Sequence, residues 1–111
     1  MKKFSATNAS RKMLEADGWT VGAVEQVIPH TFIKRDLFGF GDLIAVSPTR
    51  GIMIVQTTAD VSTSNANKRV DKIKGEPRSA IWLASKGRIQ VHSWQGRGAH
   101  RECVVREITP P

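Results

Sequence analysis

Gly41-Asp42-Leu43-Ile44-Ala45-Val46-Ser47-Pro48-Thr49-Arg50-Gly51-Ile52-Met53-Ile54-Val55-Gln56-Thr57-Thr58 carries the strongest fold signal in the chain. Residues 42–46 and 52–57 are two short, nearly continuous apolar runs, the pattern of central strands covered on both faces. Ser-Pro-Thr-Arg-Gly between them predicts a hairpin. An aspartate opens the first run and polar side chains close the second. The hairpin therefore gathers charged and polar atoms at one edge of an otherwise apolar sheet, where burial costs free energy unless those atoms serve a purpose.

On the N-terminal side, residues 5–17 carry Ala9, Met13, Leu14 and Ala16 at helical spacing and stop at Gly18, which predicts a short amphipathic helix. Residues 19–28 turn to Thr, Val and Ala and read as one strand ended by Pro29, with a connector from there to the hairpin. On the C-terminal side, Ser62 or Ser64 caps a helix running to about residue 73. Ala66, Val70 and Ile73 line one side of it, and Gly75 and Pro77 close it. Residues 80–84 read as a further apolar strand, Lys86-Gly87 as a turn, 88–94 as a strand paired with it, and 104–108 as a last strand. The glycines and Arg97 of 95–100 predict a mobile loop. The expectation is a single α/β domain over 1–111, a central mixed sheet flanked by helices in the order α-β-β-β-α-β-β.

Seventeen Lys and Arg against ten Asp and Glu leave a net charge of +7 on 111 residues. So basic a short chain points to a polyanionic partner, with nucleic acid first. A lone cysteine, Cys103, excludes an internal disulfide and a cysteine zinc site and fits a reducing cytoplasm. Met1-Lys2-Lys3 passes at once into polar residues, which predicts no signal peptide. No run is long enough to span a membrane. His30, His92 and His100 lack metal-ligand spacing, and no phosphate-loop, nucleotide or Ser/His/Asp pattern is present. The chain reads as a soluble cytoplasmic protein.

The element order, an aspartate at the start of the second strand and a polar-x-polar pair on the third resemble the PD-(D/E)XK, or restriction-endonuclease-like, nuclease superfamily. The likeness is greatest to its small Holliday-junction-resolvase-like and phage-encoded members and runs from the first helix to about Trp94. It implies a metal-dependent DNA endonuclease or junction resolvase, a hydrolase using Mg²⁺ or Mn²⁺. Asp42 matches the metal-binding aspartate, Gln56 the second acidic ligand and Thr58 the lysine. Gly41 stands where the eponymous proline would be. Gln56 offers a neutral oxygen in place of a carboxylate, and Thr58 carries no positive charge. An active nuclease therefore stands beside a catalytically inactive DNA- or protein-binding module, such as a phage accessory or inhibitor protein. The junction-resolving relatives also imply a homodimer.

Glu25 is the extra carboxylate expected at such a site, with Glu15 as the alternative and an exposed strand residue as the plain reading. Asp36, beside Arg35, reads as a surface or turn residue. Lys68, Arg69 and Lys72 share one face of the second helix, opposite Val70 and Ile73, where they can contact phosphates of duplex or branched DNA. Arg69 and Lys72 lead that set. Arg35 extends it, with Arg88, Arg97 and Arg101 as further candidates. Phe38 and Phe40 read as plugs of the sheet edge, with stacking on bases as the alternative, and Trp82 as core.

Overall fold

The computed structural model describes residues 4–31, 33–60 and 64–110. Its first element is helix α1, Ala6–Ala16. Ser5 Oγ caps it by accepting from the Asn8 N–H at 3.1 Å, the role a serine at that position performs for an otherwise unpartnered donor. Five strands form one mixed sheet in the order β1-β4-β5-β6-β7: β1 Thr20–Ala23, β4 Leu43–Ser47, β5 Gly51–Asp60, β6 Arg88–Gln95 and β7 Glu102–Ile108. Neighbours pair antiparallel except β5 and β6, which run parallel and are joined through helices α2, Ser64–Lys74, and α3, Pro77–Ala84. A parallel pair needs such a crossover, because a tight turn can only reverse the chain.

The apolar hairpin sits at the centre as β4 and β5, with Leu43 opposite Val55 and Val46 opposite Ile52. Alternation along β5 feeds two cores. Ile54 packs on one face with Phe40, Val70, Ile73, Ile89, Val91 and Ile108. Met53 and Val55 pack on the other with Leu14, Trp19, Leu43 and Ala45. Each such side chain contributes on the order of 2 kcal/mol on burial. α2 and α3 thus cover one face and α1 the other, which is why β5 reads as an unbroken apolar run.

Beneath α1 a buried polar chain ties helix to sheet. The Gln90 side-chain Oε1 faces His92 Nε2 at 2.9 Å and can only accept, so Nε2 carries the proton; His92 Nδ1 then accepts from Ser10 Oγ at 2.9 Å, and Trp94 Nε1 donates to that same oxygen. With its ring nitrogens satisfied in the neutral form, His92 is pushed by burial down to about 4.

Three sequence expectations are corrected. Residues 80–84 are not a strand but the body of α3. Pro77 occupies its first turn, and the Glu76 carboxylate caps it by accepting from the Arg78 N–H, a pairing of proline and N-cap suited to a helix start. The strand 88–94 consequently pairs not with 80–84 but with β5 and β7. The expected strand 19–28 breaks after Ala23, and the connector behind it contains a strand. Gln26–Ile28 (β2) and Ile33–Arg35 (β3) form a separate two-stranded ribbon. The second helix starts at Ser64; the alternative cap, Ser62, lies outside the described residues.

Candidate metal centre and its basic cleft

Asp42 is fixed by backbone before any side chain is considered. Its N–H donates to the Val55 carbonyl at 2.9 Å, and its own carbonyl accepts from the Val24 N–H at 3.1 Å, so it continues the ladders of both β5 and β1. The chain enters from a tight turn, where Leu37 and Gly41 exchange both backbone hydrogen bonds. A Cβ on Gly41 would lie 2.8 Å from Ile54 Cγ2 and 3.1 Å from Leu37 Cβ. Glycine is therefore required here by close packing. Arg78 bolts the turn to α3 by donating to the Phe38 carbonyl at 3.1 Å, with its guanidinium over the Phe38 ring. Phe40 is fully buried and Phe38 partly, so both plug the sheet edge as the sequence suggests.

Just past the Leu43–Val55 pair, where the ladder ends, the Asp42 side chain reaches Gln56 and Thr57 of β5. Asp42 Oδ2 accepts from the Thr57 N–H at 2.8 Å, from Thr57 Oγ1 at 3.2 Å and from Gln56 Nε2 at 3.3 Å. Thr57 Oγ1 also meets Thr7 Oγ1 of α1 at 2.9 Å. Asp42 is only 5% exposed. Burial pushes its carboxyl up from 3.8 to about 6; the Thr57 N–H opposes that, and the charges of Asp36 and Glu25 add to it.

The ribbon supplies those two carboxylates. Gln26 pairs with Arg35, so one step further Glu25 and Asp36 face each other at the ribbon's foot. Carboxylate oxygens of Glu25, Asp36 and Asp42 lie within 4.8 Å of one another. Beside them Gln56 is 3% exposed, and its buried Oε1 has no hydrogen-bond partner. A buried carbonyl oxygen left unmatched costs on the order of 1–3 kcal/mol. Three carboxylates and an amide oxygen are the hard donor set that Mg²⁺, Mn²⁺ or Ca²⁺ takes, so the residues present fit a divalent cation.

Of the site residues expected from sequence, Asp42, Gln56 and Glu25 come together. Thr58 is buried two residues beyond Gln56 on the same side of β5. Glu15 does not join them: it is exposed on α1, 4.0 Å from Arg11. Asp36, expected as a surface or turn residue, is a full member of the cluster. A cleft of about 510 Å³ opens beside it, lined by Arg35, Asp36, Gly39, Lys72 and Arg78. Arg35 and Lys72 thus share a cleft with Asp36, while Lys68 is exposed and Arg69 half-buried on α2. Arg78 falls in the short link between Pro77 and the run 80–84 that reads as a strand, so no helical spacing places it in the sequence. The Glu76-Pro77 pair that opens α3 is the signal that locates it.

The other basic candidates lie elsewhere. Arg88 is paired with Glu107 at 2.9 Å and borders a cavity with Trp19 and His92. Arg101 stacks on Phe4 and lines, with Arg97, an open pocket beside Trp94. No helix among the described residues is long and apolar enough to cross a membrane. No protein-family model, curated protein or solved structure matches the chain.

Proposed function

We propose that this chain is a nucleic-acid-binding protein of the nuclease fold, a metal-dependent DNA endonuclease or junction resolvase with a variant Asp42…Gln56-x-Thr58 site. One pair of observations carries the proposal: three carboxylates lie within 4.8 Å of one another, and Gln56, whose amide nitrogen meets Asp42, keeps a buried amide oxygen with no partner. Like charges held so close repel, and at neutral pH a divalent cation is the simplest group that relieves the repulsion and satisfies Gln56 Oε1 together.

Glu25, Asp36, Asp42 and Gln56 would hold Mg²⁺ or Mn²⁺. The ion would supply Lewis acidity toward a phosphate oxygen and a bound water of lowered pKa. The protein's own groups do the rest. Thr57 and Gln56 orient the Asp42 carboxylate, and Arg35 and Lys72 line the adjoining cleft, where they can contact backbone phosphates, beside Arg78, which is paired with Glu76. A net charge of +7 favours a polyanion over a small substrate. The order of α1, β1, β4, β5, α2 and β6, with the acidic residue opening β4, agrees with the nuclease resemblance.

Duplex and branched DNA incubated with the protein should be cut in Mg²⁺ or Mn²⁺ and left intact by Asp42→Ala. Protein that binds DNA but never cuts with either metal would sink the catalytic half. The uncharged Gln56 and Thr58 favour a second reading, a catalytically inactive DNA- or protein-binding module, such as a phage accessory or inhibitor protein. Its DNA binding would survive Asp42→Ala and weaken on Arg69→Ala/Lys72→Ala.

A further inference from the structure

β7 ends the sheet, and among the described residues it pairs only with β6. An exposed edge strand is a template for another chain unless it is short, charged or covered. The opposite edge, β1, has four residues, whereas β7 has seven and exposes apolar side chains in succession, Val104 at 38% and Val105 at 44%. Successive residues point to opposite faces, so both faces of this edge are partly apolar.

The charges on β7 are placed to accept one partner. In an antiparallel ladder, residues directly opposite both direct their N–H and C=O into the pairing or both away. When a strand pairs with its own copy about a two-fold axis, the axis must therefore pass through a residue, not between two. Three such centres lie in the middle of β7. An axis at Cys103 sets Glu102 against Val104 and His100 against Arg106. An axis at Val105 sets Val104 against Arg106 and Glu102 against Ile108. An axis at Val104 sets Glu102 against Arg106 and Arg101 against Glu107, each twice by symmetry, with Cys103 against Val105. Only the last matches opposite charges throughout. Glu102 is exposed and has no ion pair within the chain among the described residues. Arg106 is held by Asn67 of α2, on the side of the sheet to which Glu102 also points. Glu107 is already fixed by Arg88 and Gln90, so the Glu102–Arg106 pairs do most of the selecting.

We propose that the β7 edge is a homodimer interface, in which two copies pair antiparallel about Val104 and join their five-stranded sheets into one. The occupant is a second copy of this chain, because the charge pattern complements itself. The interface lies outside the carboxylate cluster and does not depend on its chemistry.

Light scattering behind gel filtration, over a concentration series, reads the outcome. The wild type should associate to dimer. Glu102→Arg and Arg106→Glu should each weaken the dimer by about tenfold or more, since each turns two matched cross-strand pairs into repulsive ones. The double variant E102R/R106E should restore it, because residue 102 of one copy faces residue 106 of the other. Both positions are exposed, and an unchanged far-UV circular-dichroism spectrum would confirm intact folding. A wild type that stays monomeric at its highest soluble concentration would overturn the proposal. So would single variants that dimerise as the wild type does, or a double variant no better than the singles.

Discussion

Replacing Asp42 by asparagine should make the metal-free protein more stable at neutral pH. The amide side chain keeps an oxygen for the Thr57 N–H, the Thr57 hydroxyl and the Gln56 amide, all of which converge on Asp42 Oδ2, and removes a buried negative charge next to Glu25 and Asp36. The folded carboxyl titrates near 6 against an ordinary 3.8; at about 1.4 kcal/mol per unit, ionised Asp42 costs the fold about 3 kcal/mol. The sign follows from proton counting. Below 3.8 the group is protonated in both states and costs nothing. Between 3.8 and about 6 the unfolded chain releases a proton that the folded chain keeps, so stability falls as pH rises, and above 6 the whole cost is present. Urea denaturation in EDTA should therefore show Asp42→Asn more stable than wild type by about 1–3 kcal/mol at pH 7, with the two converging near pH 4. His92 titrates in an overlapping window with the opposite sign, but it is common to both proteins and cancels in the difference. A variant less stable than wild type at pH 7, or a gap independent of pH, would refute the reasoning.

Other outcomes follow from the same geometry. His92, held neutral near 4, should cost stability as pH falls from 6.5 toward 4, by about 3 kcal/mol at the acid end; an NMR titration of its ring with a midpoint near 6.5 would contradict this. Gly41→Ala drives a methyl into Ile54 and Leu37 and should lose about 1–3 kcal/mol in urea denaturation. Arg35→Ala/Lys72→Ala should weaken DNA binding and flatten its dependence on log salt by about one unit per lost phosphate contact, while leaving Mn²⁺ binding in place. Added Mg²⁺ or Mn²⁺ should raise the melting temperature of the wild type and not that of Asp42→Asn, since a ligand stabilises only the state that binds it.

The central hairpin was legible because its physics is local. Two apolar runs and a Pro-Gly turn set the register, which ends with Leu43 opposite Val55 and leaves Asp42 at its margin, where its side chain meets Gln56. Asp36 was not legible. Its membership depends on a ribbon of three-residue strands, too short to show alternation, and on a break after Ala23 inside a run of β-forming residues. α3 was misread because five apolar residues have no distinguishable period; Glu76 and Pro77, just upstream, carried the evidence for a helix. The basic cleft shows both effects. Lys72 was found from helical spacing and Arg35 from its place in the connector, but Arg78 reaches the cleft only because α3 is a helix packed beside the 37–41 turn.

Diffraction from crystals soaked in Mn²⁺, with data collected at the manganese edge, tests the central claim most directly. One anomalous peak should appear, bounded by Glu25, Asp36 and Asp42, with Gln56 Oε1 as a ligand at about 2.2 Å, the Mn–O distance expected for hard oxygen donors. A saturating soak that leaves those four residues without a peak, or that puts manganese only elsewhere on the molecule, would contradict it.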